Sequence, residues 1–219
     1  MKKILLFGST GLIGDALLRQ LLARPELQVI AFSRKPIELP HAEAAFINHV
    51  INFDNLEDHA RYIVGDVLFC CLGTTMRKAK TQAAFRKTDY ELVLRIAKIA
   101  TDNHVKKLLV ISSVGANAAS NNFYLKTKGE MEDDLQALPI DQLAILRPSI
   151  LTGKRKEFRL SERAGIALAS LISPLMAGAL RKYKPIAATT VAKAMIRLSE
   201  QTTDRVIYES SDLQQIAEQ

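Results

Sequence analysis

Short apolar runs alternate with amphipathic stretches along the whole chain. Runs at residues 4–7, 29–32, 46–47, 67–72, 108–111 and 144–146 predict strands, several of them apolar at every position. Unbroken apolarity is what a strand buried on both faces requires, so the sheet is expected to be parallel. Between the runs lie segments of helical period. Over 12–23, Ile13, Leu17 and Leu21 share one face; over 89–103, Leu92, Ile96 and Ile99 do. Helices are also expected at 122–138 and 190–201, with one late strand at 205–209. Strand–helix–strand repetition at this spacing implies right-handed crossovers and an α/β fold built on a doubly wound parallel sheet. From about residue 151 helices dominate. Residues 1–150 are therefore expected to form the core, with 151–219 a small, mostly helical C-terminal cap of the same domain.

Composition narrows the class. The chain has 219 residues, 48% hydrophobic and 24% charged, which is ordinary globular usage and long enough for a sizeable core. Its formal charge of +7 raises the question of nucleic acid. The basic residues are scattered apart from short clusters at Arg77-Lys78-x-Lys80, Lys154-Arg155-Lys156 and Arg181-Lys182-x-Lys184, and no aromatic platform accompanies them. Solvated faces and attraction for an anionic ligand account for that charge, so nucleic acid is not an expected partner. The uncharged stretch 164–180 contains Pro174, which interrupts a helix. A buried or interface helix and a turn are expected there rather than a membrane span, and a homodimer contact is one use for it.

Cys70 and Cys71 are adjacent within an apolar run, where neighbours point to opposite faces and make a poor disulfide pair. The apolar start after Met1-Lys2-Lys3 stops at Gly8, too short for a secretory leader. Both features point to a cytoplasmic protein. His41, His49, His59 and His104 show no ligand spacing, and no metal is expected.

The chemistry starts at the first strand, which runs into Gly8-Ser9-Thr10-Gly11-Leu12-Ile13-Gly14 as the next helix opens. Glycines here allow a tight turn and let a pyrophosphate approach the helix N-terminus, where free N–H groups and the dipole favour negative charge. The second strand ends at Ser33-Arg34-Lys35, where an acidic residue would bind ribose hydroxyls and repel a 2′-phosphate. Ser33 can donate to phosphate oxygens and Arg34 can grip them, so NADP(H) is expected over NAD(H). Asp54 suits either the adenine amino group or the N-cap of a following short helix.

A second constellation follows the strand at 107–111. Ser112-Ser113 ends it, Tyr124 comes later, and Lys128 lies one helical turn beyond Tyr124. An ammonium beside a phenol stabilises the phenolate and fits it to exchange a proton with a carbonyl or carbinol oxygen, which the Ser113 hydroxyl could hold. Ser112 is an alternative to Ser113.

Together GSTGLIG, SR after strand two, CCLGTT after strand four, ISSVGA, YLKTK and LRPSIL resemble an atypical short-chain dehydrogenase/reductase. Within that family the likeness is closest to the Tat-interacting-protein-like oxidoreductases, over roughly residues 3 to 155. The resemblance implies that Gly8, Thr10, Gly11, Leu12, Ile13 and Gly14 line a pyrophosphate, and that Ser33 and Arg34 meet the adenosine phosphate. By the same resemblance Cys71, Leu72 and Gly73 run beside the adenosine and ribose, and Pro148 borders the nicotinamide. Tyr124 would be the acid/base, Lys128 would also bind the nicotinamide ribose, and Ser113 would orient a small-molecule substrate. The family's extended members often carry an asparagine in the helix before strand five, as part of a proton relay. Here that stretch is Thr88-Asp89-Tyr90, a departure from the pattern. The implied function is hydride transfer; a non-catalytic NADPH-binding interaction protein and a nucleotide-sugar epimerase are the alternatives.

Overall fold

In the computed structural model, which describes residues 1–39, 45–153, 178–202 and 204–219, the six apolar runs become parallel strands of one sheet. They are β1 (Lys2–Phe7), β2 (Leu27–Ser33), β3 (Phe46–Val50), β4 (Val67–Cys70), β5 (Lys107–Ile111) and β6 (Gln142–Arg147). A two-residue parallel pair, β7 (Leu151–Thr152) with β8 (Ile186–Ala187), stands apart, and β9 (Ile207–Glu209) pairs with β6 to complete a seven-stranded sheet. The order β3-β2-β1-β4-β5-β6-β9 is the doubly wound Rossmann arrangement, and its direction reverses between β1 and β4.

Alternate residues of each strand feed two apolar layers, because side chains on a strand point to opposite faces. Leu6, Phe69, Leu109 and Leu146 pack with Leu17 and Leu21 of α1 (Leu12–Leu22). Leu5, Leu68, Val110 and Ile145 form the opposite layer with Val93 and Ile96, and with Met131 and Leu135. The first pair belongs to α4 (Leu92–Asp102) and the second to α5 (Phe123–Gln136). On the α1 side, Val191 and Met195 of α6 (Ala188–Glu200) and Leu213 of α7 (Ser210–Glu218) close the layer. Among the described residues the C-terminal region is thus mostly helical, and the late strand expected at 205–209 joins the sheet as β9.

Several boundaries move. The helix expected to begin at 89 begins at Gln82, with the Thr81 hydroxyl accepting from the Ala84 N–H at 3.1 Å. Short α2 (Met76–Ala79) precedes it, and α3 (Gln82–Arg86) passes into α4 through a π turn at Lys87–Glu91. α5 starts at Phe123 because Asn122 caps it, its Oδ1 accepting from the Leu125 N–H at 3.1 Å. β3 runs on to Val50, where the alternation of half-buried and exposed positions at a sheet edge hides the strand from a search for continuous apolarity. Most of the uncharged stretch lies outside the described residues; its end, from Gly178, enters a 3-10 segment, Gly178–Tyr183. No helix among the described residues is long and apolar enough to cross a membrane.

Candidate functional site

The loops after β1 and β4 meet where the sheet order reverses. Gly8 has φ +80°, and a Cβ on it would lie 2.5 Å from the Cys71 carbonyl carbon. A Cβ on Gly14 would lie 2.0 Å from the Gly8 oxygen, so only glycine lets α1 come this close to β1. Gly11 occupies the N-cap of α1 and offers no side chain to it; Thr10 beside it is exposed. The first turn, with Leu12 and Ile13, therefore presents its N–H groups uncapped by any side chain. The Ser9 hydroxyl is buried and has no hydrogen-bond partner among the described residues. An uncapped helix start over a backbone cradle, with an orphaned hydroxyl beside it, fits a dinucleotide pyrophosphate.

At the end of β2 the picture changes from the sequence reading. The Ser33 hydroxyl donates to the Lys35 carbonyl at 2.6 Å and accepts from Asn48 Nδ2 at 2.9 Å. It is committed to its own turn, which leaves exposed Arg34 and Lys35 as the cations there. Asp54 is not the N-cap of the 3-10 segment Phe53–Tyr62. Asn52 takes that place, its Oδ1 accepting from the Asp54 N–H at 3.0 Å. The exposed Asp54 carboxylate pairs instead with Lys87 at 2.8 Å, and this hydrogen-bonded ammonium holds it below its ordinary range. The Cys71 sulfur lies 3.9 Å from Met195 Sδ, so the backbone of Cys71, with Leu72 and Gly73, forms the loop edge.

On the other side, α5 carries Tyr124 and Lys128 on one face. The Tyr124 ring is half-buried and sits 5.4 Å from the Phe85 ring. Lys128 is buried, and its Nζ lies 2.9 Å from Oδ1 of Asp89, whose side chain is 1% exposed. Asp89 Oδ2 accepts from the Thr74 N–H at 2.7 Å. Burial pulls the Lys128 pKa down, but Asp89 and Tyr124 raise it by more, leaving it above its ordinary value as an ammonium.

Ser112 and Ser113 part company at the tip of β5. The Ser112 hydroxyl is buried and bonded to Glu132, whereas Ser113 is half-buried and, among the described residues, has a 3.4 Å contact to the Val114 carbonyl alone. The Val114 N–H donates to the Pro148 carbonyl at 3.0 Å, which brings the loops after β5 and β6 side by side. Glu132 also receives Arg147 Nε at 3.0 and 3.1 Å, and Arg147 reaches Glu209 at 3.1 Å. One carboxylate on α5 thus ties together the ends of β5 and β6, and Arg147 extends the tie to β9.

Three residues of this assembly escaped the sequence reading: Asp89 as the partner of Lys128, Glu132, and Gly129. A Cβ on Gly129 would lie 2.1 Å from the Ala118 nitrogen, so glycine lets the loop after β5 lie on α5. A glycine inside a helical pattern signals such an approach. Asp89 shows in the sequence only as the departure at Thr88-Asp89-Tyr90. Glu132 carries no local signal.

The model of the HIM1 family matches residues 51–176 of the chain. The mitochondrial protein FMP52 of Candida albicans is 32% identical over 94% of this chain and 94% of its own length. Protein HTATIP2 of Rattus norvegicus is 34% identical over 74% of this chain and 67% of its own length. Among solved structures, a UDP-glucose 4-epimerase of Thermotoga maritima in complex with UDP-glucose superposes with TM-score 0.71 at 16% identity, over 94% of this chain and 76% of that one. WbmH of Bordetella bronchiseptica, in complex with NAD+, gives 0.70 at 14%, over 95% and 74%. At these identities the structural likeness concerns the fold. The cytoplasmic expectation is corrected, because FMP52 relatives from several fungi are named mitochondrial, which conflicts with a purely cytoplasmic assignment. The adjacent cysteines behind that expectation make a poor disulfide pair in any compartment and do not distinguish the cytoplasm from the mitochondrion.

Proposed function

This chain belongs to the HIM1 family, within the atypical short-chain dehydrogenases/reductases, and on that premise we propose that it is an NADP(H)-dependent oxidoreductase acting on a carbonyl or hydroxyl carbon of a small molecule. The observation that carries the reading is the glycine cradle at the reversal of the sheet, with exposed Arg34 at the neighbouring strand end where an acid would select NAD. Gly8, Thr10, Gly11, Leu12, Ile13 and Gly14 hold the pyrophosphate through backbone N–H groups. Arg34 grips the 2′-phosphate, in a turn that Ser33 shapes. Cys71, Leu72 and Gly73 flank the adenosine and ribose, Asp54 lies on the adenine side, and Pro148 borders the nicotinamide. The nicotinamide, when bound, supplies or accepts the hydride.

The chain's own residues handle the proton. Tyr124 gives a proton to the substrate oxygen on reduction and takes it back on oxidation. Lys128, kept charged by its surroundings, stabilises the phenolate and holds the ribose hydroxyls. Ser113 holds the substrate oxygen, a role supported by the commitment of Ser112 to Glu132. Substrate contacts come from the loops after β4 to β6 and from the C-terminal region, proposed as residues 151–219. The names of the fungal relatives make the mitochondrion the first compartment in which to localise the protein.

Nucleotide titration tests the cofactor: wild type should bind NADPH more tightly than NADH, and Arg34→Ala should weaken NADPH about tenfold while sparing NADH. On a panel of carbonyl compounds Tyr124→Phe should lower kcat/KM by roughly 10²- to 10⁴-fold with NADPH affinity unchanged. A wild-type protein that binds NADPH yet reduces nothing across the panel would replace this reading with that of a nucleotide-binding protein without turnover.

A further inference from the structure

The turn that carries Arg34 has little backbone support of its own. Among the described residues, no backbone–backbone hydrogen bond involves residues 34–37, and Arg34, Lys35 and Pro36 are exposed. Pro36 has no N–H to offer. Ile37 leans on the α1-side apolar layer, and the polar fastening comes through one side chain, Asn48 of the edge strand β3, which stands beside Ala31 in the β2–β3 ladder. The half-buried Asn48 amide accepts through Oδ1 from the Ile37 N–H at 2.9 Å, on the far side of the turn. On the near side Nδ2 donates to the Ala31 carbonyl at 3.2 Å and to the Ser33 hydroxyl at 2.9 Å. Ser33 passes the link on by donating to the Lys35 carbonyl at 2.6 Å.

The direction of every bond in this chain is fixed. A backbone N–H can only donate, so the amide must turn its oxygen to Ile37 and its NH2 to β2. A carboxylate in its place would keep Ile37 and lose Ser33 and Ala31; an ammonium would do the reverse. Each such bond adds only modestly to stability. Ordering a turn before a ligand arrives, by contrast, spares the ligand the cost of ordering it. We infer that Asn48 is a positioning residue for cofactor choice: its amide holds the turn Ser33–Ile37 in the conformation from which Arg34 reaches the 2′-phosphate. Asn48 acts on the phosphate through the turn alone. The inference rests on the proposed function for the phosphate itself.

The test combines NADPH and NADH titrations with amide hydrogen exchange, on wild type, Asn48→Val, Arg34→Ala and the double variant Asn48→Val/Arg34→Ala. Valine suits an edge strand and makes none of the three bonds. Asn48→Val should weaken NADPH about tenfold and leave NADH within about twofold of wild type. The double variant should lose less than the product of the two single losses, because Asn48 acts through the turn that carries Arg34. The Ile37 amide should exchange faster in Asn48→Val. Equal losses for NADPH and NADH would make Asn48 a purely structural residue and overturn the inference. Unchanged NADPH affinity, or losses that multiply in the double variant, would do the same. If Asn48→Val does not fold, Asn48→Ser, whose hydroxyl is one bond shorter than the amide, takes its place with the same outcomes. If wild type binds no NADPH or prefers NADH, the proposed cofactor fails by itself, and Ile37 exchange in Asn48→Val then decides whether the amide holds the turn, unchanged exchange refuting it.

Discussion

The two sides of the cleft are held by different means. At β1 and α1 the contacts are backbone against backbone: the Gly8 oxygen lies under Gly14 and the Cys71 carbonyl behind Gly8. At β5 and α5 the contacts are charged side chains brought in from elsewhere, Asp89 onto Lys128 and Arg147 onto Glu132. The first side is specified by what is missing, since any Cβ would force the elements apart. It has no proton to lose and no partner to find. The second side is specified by pairs that must meet across the fold, so each member left alone becomes a liability in a low-dielectric setting. The start of α1 is thus specified largely by glycines close together in the sequence, with one tertiary contact at Cys71, whereas holding a charged lysine in place depends on partners from distant segments.

Breaking a pair on the charged side should have the largest effect on stability. Glu132→Ala leaves Arg147 with Glu209 alone and the Ser112 hydroxyl without its acceptor. It should cost about 3–5 kcal/mol in denaturant unfolding, the range for breaking a buried pair. A loss below about 1 kcal/mol would show that the pair behaves as a surface one. Next comes the backbone side: Gly14→Ala inserts a methyl 2.0 Å from the Gly8 oxygen and should cost on the order of 1–3 kcal/mol or more. It should also abolish measurable NADPH binding, and retained binding would mean that α1 need not sit so close. The smallest effect tests the scaffold that the charged side stands on. Asn122→Ala removes the N-cap of α5 and should lower stability by ~1 kcal/mol, read from the denaturation midpoint at unchanged slope.

The same contrast explains what the sequence makes legible. The glycine loop, the central strands and the Tyr124–Lys128 spacing are local patterns, and the structure sets them out much as the periodicity predicts. The π turn has no compositional mark, so the helix over Gln82–Asp102 is foreseen only in its apolar second half, where Ile96 and Ile99 repeat. Ser33 is misjudged because Asn48, its acceptor-seeking neighbour, arrives from the adjacent strand. The N-cap expected of Asp54 falls to Asn52 for a subtler reason: both residues suit the role, and only the path of the chain out of β3 chooses between them.

The π turn has a consequence for how this chain tolerates change in length. Adding one residue to a regular helix turns everything after it by about 100°. Here Lys87–Glu91 takes up that rotation within the helical run, and Phe85 before it and Ile96 and Ala100 after it are buried. Deleting a single residue within this segment would let an ordinary helix form with its apolar stripe still seated, at the expense of Asp89's place beside Lys128. The insertion is thus a place where fold and chemistry can be separated by one codon: the shortened chain should fold, and its nucleotide site should not.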